Sequence, residues 1–220
     1  MTLVRYMLVT AFLLGVFALL GTGIVAVTQN GTEERIRQNE REFLLRTLNS
    51  VIPATAYDND LHADTITVTS HELLGTRKPV TVYRARKDNK PVAAVLTPVA
   101  PDGYNGDINL LVAIRYDGVL MGVRVLSHRE TPGLGDGIDI ERSKWIDTFA
   151  GHSLHDPDEL GWHVVKDGGI FDQFTGATIS PRAVVKAVHN SLKYYAQHKE
   201  ELFRDPSSDE VHPDGATDVH

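Results

Sequence analysis

The sequence predicts an α+β protein, with a single N-terminal transmembrane helix followed by one extramembrane domain of antiparallel hairpins and packed helices. Three observations predict it. No charged residue occurs between Arg5 and Glu33 of the 220-residue chain. Two pairs of β-rich runs, 80–86 with 92–99 and 108–116 with 119–127, are each joined by turn-forming residues. From Arg182 to about Phe203, the residues Val184, Val185, Val188, Leu192 and Tyr195 recur at helical spacing, a stripe that packs a helix on a sheet.

The 27 uncharged positions after Arg5 would span roughly 40 Å as a helix, more than the ~30 Å hydrocarbon core of a bilayer requires. A cleavable signal peptide is the competing reading. Its apolar region is normally about 7–15 residues, and no convincing small-x-small site precedes Thr28. Arg5 and the amino terminus, set against a mixed Glu33-Glu34-Arg35-Ile36-Arg37, favour a cytoplasmic N-terminus. Residues 1–31 are therefore read as the anchor, 32–203 as one domain, and 204–220 as a disordered acidic tail rich in Asp, Ser and Pro. The net charge of −7 argues against nucleic acid as a partner. The absence of cysteine excludes thiol catalysis and thiolate-held iron–sulfur clusters within this chain.

Within the domain, residues 32–49 have the pattern of an amphipathic helix that Pro53 ends. Lys87-Asp88-Asn89-Lys90-Pro91 joins the first strand pair and Asp117-Gly118 the second. Between the pairs, Pro101-Asp102-Gly103-Tyr104-Asn105-Gly106 is a turn-rich connecting loop whose glycines allow tight backbone geometry. The run from His128 to Gly137 is too rich in Gly and Pro for regular structure. Ile140–Ala150 fits a short helix stopped by Gly151, with Trp145 in the core. Residues 162–166 and 170–174 predict a third hairpin around Asp167-Gly168-Gly169. His152, His155 and His163 match no tetrahedral metal spacing, so no metal site is expected.

The last helix is expected to start with Ser180 as N-cap and Pro181 at its first helical position. Thr175, Gly176, Ala177 and Thr178 then lie ahead of a helix N-terminus, where free N–H groups and the macrodipole favour an anion such as phosphate. The plainer reading is a turn and cap that only begin a helix.

Asp172-x-x-Thr175-Gly176-Ala177-Thr178 resembles the flavinylation signature of the FMN-binding domain family, found in the G subunit of the Rnf-type ion-translocating oxidoreductase complex and the C subunit of the sodium-translocating NADH:quinone reductase. His128-Arg129-Glu130-Thr131-Pro132-Gly133-Leu134-Gly135 is a second family-like element upstream. The resemblance implies FMN held covalently through its phosphate on Thr178, put there by a separate flavin transferase. It places Asp172, Thr175, Gly176, Ala177, Glu130, Thr131, Leu134 and Gly135 around the cofactor. It implies an electron-relay subunit among other membrane and redox subunits, single-pass in a bacterial inner membrane, with its large domain periplasmic. No complete active site or catalytic residue of its own is expected. His128 and Glu130 are read as structural or pocket groups in preference to an acid/base pair. The rival is a membrane-anchored assembly or binding module without cofactor. A Thr or Ser hydrolase ranks last, because no Gly-x-Ser-x-Gly elbow is present.

Overall fold

The computed structural model describes residues 2–204; the tail expected from 204 on lies, past Arg204 itself, outside the described residues. Contacts divide the chain into two compact units that meet between Arg46 and Thr47. The long helix α1 (Thr2–Val51) supplies the first unit. Its stretch Arg5–Gly23 is long and apolar enough to cross a membrane. The one hydroxyl described there with a bond, Thr10 Oγ1, donates to the Tyr6 carbonyl at 2.9 Å, which satisfies it without water. α1 stops at Val51, two residues before Pro53, as the steric demand of proline on its predecessor requires.

The second unit is a six-stranded antiparallel sheet with helices against it. Its strands are β1 (Thr65–Ser70), β2 (Thr76–Lys87), β3 (Lys90–Leu96), β4 (Val99–Ala100), β5 (Ile108–Arg115) and β6 (Leu120–Ser127). The order is β1-β2-β3-β5, with β6 on the other edge of β5 and β4 continuing past β3 along the first. Both expected hairpins are present. The first turn is tighter than expected: only Asp88 and Asn89 connect the strands, at φ 49° and 60°, the primed turn that matches strand twist. In the second, Gly118 adopts φ 93° and Asp117 accepts from the Val119 N–H at 3.2 Å. Strand β1 and the short helix α2 (His71–Leu74) are additions to the elements expected from the sequence.

Helix α3 (Ile179–Phe203) covers one face of the sheet. Val184, Val185, Val188, Leu192 and Tyr195 are all buried, as the stripe predicts. They share one hydrophobic core with Val80, Val82, Ala94, Leu96, Leu110, Val112 and Ile114. The alternate residues Leu111 and Ala113 of β5 are also fully buried, so the strand is covered on both faces. On the second face Val51 lies against Gly122, where an added Cβ would stand 3.4 Å from the valine Cγ1.

Two expectations fail between 140 and 174. In place of an α-helix, a 3-10 turn spans Trp145–Phe149. The Ser143 hydroxyl accepts from the Trp145 N–H at 3.1 Å and donates to the Gly137 carbonyl at 2.6 Å, diverting the α ladder. In place of a third hairpin, a 3-10 turn spans Val165–Asp167. Trp162, Val164 and Phe171 turn inward, and Trp162 and Phe171 join Phe149 in an aromatic cluster with centroids 4.7 to 6.4 Å apart. Burial of those rings outweighs an isolated two-strand ladder.

His189 of α3 stacks on Trp162, centroids 5.1 Å apart and planes within 7°. Burial first, and the Lys193 charge second, push its pKa from 6.5 down to about 4, against a pull from Glu159. The native imidazole stays neutral where the unfolded one takes a proton. Stability is therefore present above 6.5 and declines as pH falls toward about 4. His189→Phe keeps the stack without the titration, so its urea midpoint should fall less than the native one between about pH 7 and about pH 5. Equal falls would contradict this assignment.

Candidate functional site

Three loops converge at the N-terminus of α3. The first is residues 101–106, between β4 and β5; the second follows β6 and runs from His128 to Asp136; the third is the turn that leads into α3. They enclose a cleft of about 320 Å³, at the lower end of the roughly 300–1,000 Å³ typical of small-molecule sites. Its walls are Tyr104, Glu130, Thr131, Leu134, Gly135 and the run Gly176–Ser180.

Each loop has a local reason for its shape. Residues 174–177 form a turn closed by the Ala177 N–H on the Phe174 carbonyl at 3.0 Å. Gly176 sits at φ 82°, a position that strains any side chain. In the second loop the Thr131 carbonyl accepts from the N–H groups of Leu134 and Gly135, both at 3.1 Å. A Cβ on Gly135 would stand 2.6 Å from Ser180 Oγ and 2.8 Å from Glu130 Oε2. Glycine is thus the condition for bringing the second loop against α3.

The helix does not begin as expected. Thr178 occupies the N-cap and Ile179 is the first helical residue. The Thr178 side chain makes no capping hydrogen bond. Ser180, expected as the cap, is buried and donates its hydroxyl to Glu130 Oε2. The first ladder bond is the Arg182 N–H on the Thr178 carbonyl at 3.2 Å. The N–H groups of Ile179 and Ser180 have no intrahelical acceptor, and Pro181 has no N–H. An anion-favouring helix end thus opens beside an uncommitted hydroxyl.

Of the residues singled out in the sequence, Glu130, Thr131, Leu134, Gly135, Gly176, Ala177 and Thr178 line this one cleft. Asp172 and Thr175 are exposed and are not part of its wall. The Asp172 carbonyl instead accepts from the Trp145 indole N–H at 2.8 Å, which fixes the approach to the turn. Tyr104 of the 101–106 loop also lines the cleft, a contribution the sequence reading did not name. Asn105 joins the loops as well: its N–H reaches Glu130 Oε1 and its side-chain amide Thr131 Oγ1, both at 3.2 Å. Ile179 and Ser180 also escape the sequence reading as wall residues. Nothing local to the sequence marks Ser180 as the partner of a carboxylate fifty positions away.

The rim is apolar, with Tyr104 65%, Leu134 46% and Ile179 43% exposed. A flat ring laid there would cover surface that water otherwise touches. Arg182 and Asp167 pair at 2.6 Å, tying the 165–167 turn to the first turn of α3. The arginine hydrogen bond holds the Asp167 carboxyl below its usual range. His128 Nδ1 accepts from the Glu130 N–H at 3.1 Å, the role of a positioned loop residue. His152, by contrast, packs edge-on against Trp162 and Phe171.

A family model described as an FMN-binding domain matches residues 103–193, and one described as the RnfG N-terminal region matches residues 1–51. Curated relatives are named as the G subunit of the ion-translocating oxidoreductase complex. That of Shewanella baltica is 45% identical over 208 residues, covering 94% of this chain and 98% of the relative. That of Vibrio cholerae is 48% identical over 195 residues, covering 89% and 93%. That of Pseudomonas aeruginosa is 48% identical over 198 residues, covering 90% and 92%. Among solved structures, the crystal structure of Shewanella oneidensis NqrC aligns with a TM-score of 0.45 at 24% identity, covering 66% of this chain and 74% of that one.

Proposed function

The chain belongs to the family of G subunits of the ion-translocating oxidoreductase complex, and from that premise we propose that it carries FMN covalently, through its phosphate, on Thr178. It is an FMN-binding electron-relay subunit of a membrane redox complex. The observation that carries the covalent reading is the Thr178 hydroxyl, at the N-cap of α3 and in the cleft wall yet free of any capping bond.

The residues present fit the group. The N–H groups of Ile179 and Ser180 and the positive end of α3 suit a phosphate ester on the neighbouring threonine. Gly176 keeps the turn open beside it, with Leu134 Cδ2 3.5 Å from where a Cβ would stand. Tyr104, Leu134 and Ile179 offer apolar surface for the ring, and the Thr131 hydroxyl offers polar contact. When bound, FMN supplies reversible electron uptake and release. The chain's own part is to hold, orient and partly desolvate that group. The tether also substitutes for affinity where free FMN is not replenished.

In this reading residues 1–31 anchor the chain once in the bacterial inner membrane and residues 32–203 form the flavin-binding domain. The positive end at Arg5 supports a periplasmic domain. Other membrane and redox subunits of the complex exchange electrons with it, and a flavin transferase loads it. Ion movement is driven elsewhere.

The test is the intact mass of the protein matured in a host that makes the transferase. The expected mass is the polypeptide plus one FMN less one water, with fragment ions placing the addition on Thr178. A mass equal to the bare polypeptide would leave a membrane-anchored binding module without cofactor.

A further inference from the structure

Among the described residues, three carboxylates are held by partners in or near the interior, and they are not held alike. Asp64 is shared by Arg84 and Arg86, at 2.5 and 2.9 Å. Asp136, 8% exposed, has Arg142 at 3.4 Å. Glu130 is the most buried, 4% exposed, and no salt bridge to it occurs among the described residues. Neutral donors hold it: the Ser180 hydroxyl on Oε2 and the Asn105 N–H on Oε1. Both oxygens accept, as a carboxylate's do.

The packing around it is built. A Cβ on Gly103 would stand 2.9 Å from Oε1, and one on Gly135 would stand 2.8 Å from Oε2. Glycines on two loops therefore admit this carboxylate to the cleft wall. A charge compensated only by neutral dipoles keeps much of its field, and low-dielectric surroundings screen that field poorly. The field falls on whatever occupies the cleft.

We infer that Glu130 is an electrostatic tuning residue that lowers the reduction potential of the flavin bound beside it. The inference rests on the reading of the cleft as the flavin site. Reduction by two electrons with uptake of one proton adds one negative charge to the ring. The electrons come from a neighbouring redox centre in the complex, or from dithionite in a titration. A fixed negative charge opposes that change, and its removal favours the reduced form.

The test uses the full-length chain, co-produced with the transferase and purified in detergent, with FMN content read by intact mass. Its midpoint potential is measured by dithionite titration against a reference dye. Glu130→Gln keeps the shape and removes the charge. It should shift the reduced-to-oxidised ratio at fixed potential at least tenfold toward reduced, about 30 mV upward for two electrons. Ser180→Ala removes a donor and leaves the charge less compensated, so its potential should move downward. Opposite signs separate charge from loosening, since a merely structural role would move both variants the same way. If the Gln variant does not load, Ser180→Ala alone decides, and an unmoved potential there overturns the inference. Native protein without FMN would overturn both this inference and the cleft reading. Loaded variants with unmoved potentials would overturn this inference alone.

Discussion

Thr178→Ala is expected to yield a chain with no covalently held flavin: fluorescence on a denaturing gel falls to background, and the intact mass falls to that of the polypeptide. The effect is all-or-none, because the substitution removes the oxygen that would form the ester. Its effect on folding should be small. Alanine at an N-cap usually costs about 0.5–2 kcal/mol because a capping bond is lost, but Thr178 makes none. The expected change is within about 0.5 kcal/mol, the range of substitutions away from structural features. Thr178→Ser keeps a hydroxyl at the same backbone position and should recover labelling. Full fluorescence in the alanine variant would move the attachment elsewhere.

Asp64→Ala is expected to have the largest effect on stability. Arg84 and Arg86 point from β2 toward the end of α3 with side chains 8% and 7% exposed, and one carboxylate serves both. They also donate to the carbonyls of Arg204 and Phe203, at 3.1 and 3.3 Å, which closes the C-terminal end of the helix. Removing the carboxylate leaves the desolvated Arg84 guanidinium without its paired charge, at a cost of about 3 kcal/mol or more. For a domain of this size that is roughly 6–12 °C in Tm. The control is Asp102→Ala, whose Lys186 partner is as close, 2.6 Å, but whose pair is more than half exposed. It should cost less than about 1 kcal/mol. Similar losses in the two variants would remove burial as the cause.

Features with local causes are legible in the sequence. The apolar run after Arg5, the Asp117-Gly118 turn and the α3 stripe each depend on residues a few positions apart, so their outcome can be read from neighbours. Thr65-Ile66-Thr67-Val68-Thr69-Ser70 also carries strand-like alternation, so β1 has a local signal that the hairpin reading passes over. Other features depend on distant partners. Ser180 has the chemistry of a cap, and only the arrival of Glu130 turns its hydroxyl inward. Residues 162–174 have the composition of a hairpin, and the aromatic cluster around Phe149 decides otherwise. Within the candidate site, the Gly176–Thr178 run is visible as a motif. Asn105 is not, because its part is to bridge loops separated in sequence by all of β5 and β6.

Helix α3 serves the cleft with its first turn and the sheet with the rest of its 25 residues. The cofactor's mooring and the domain's keel are therefore one timber. Heat or denaturant has no separate pocket to melt ahead of the body. Depolarisation of flavin emission and loss of far-ultraviolet dichroism should coincide at a single midpoint, making the flavin a built-in gauge of whether the whole domain is folded.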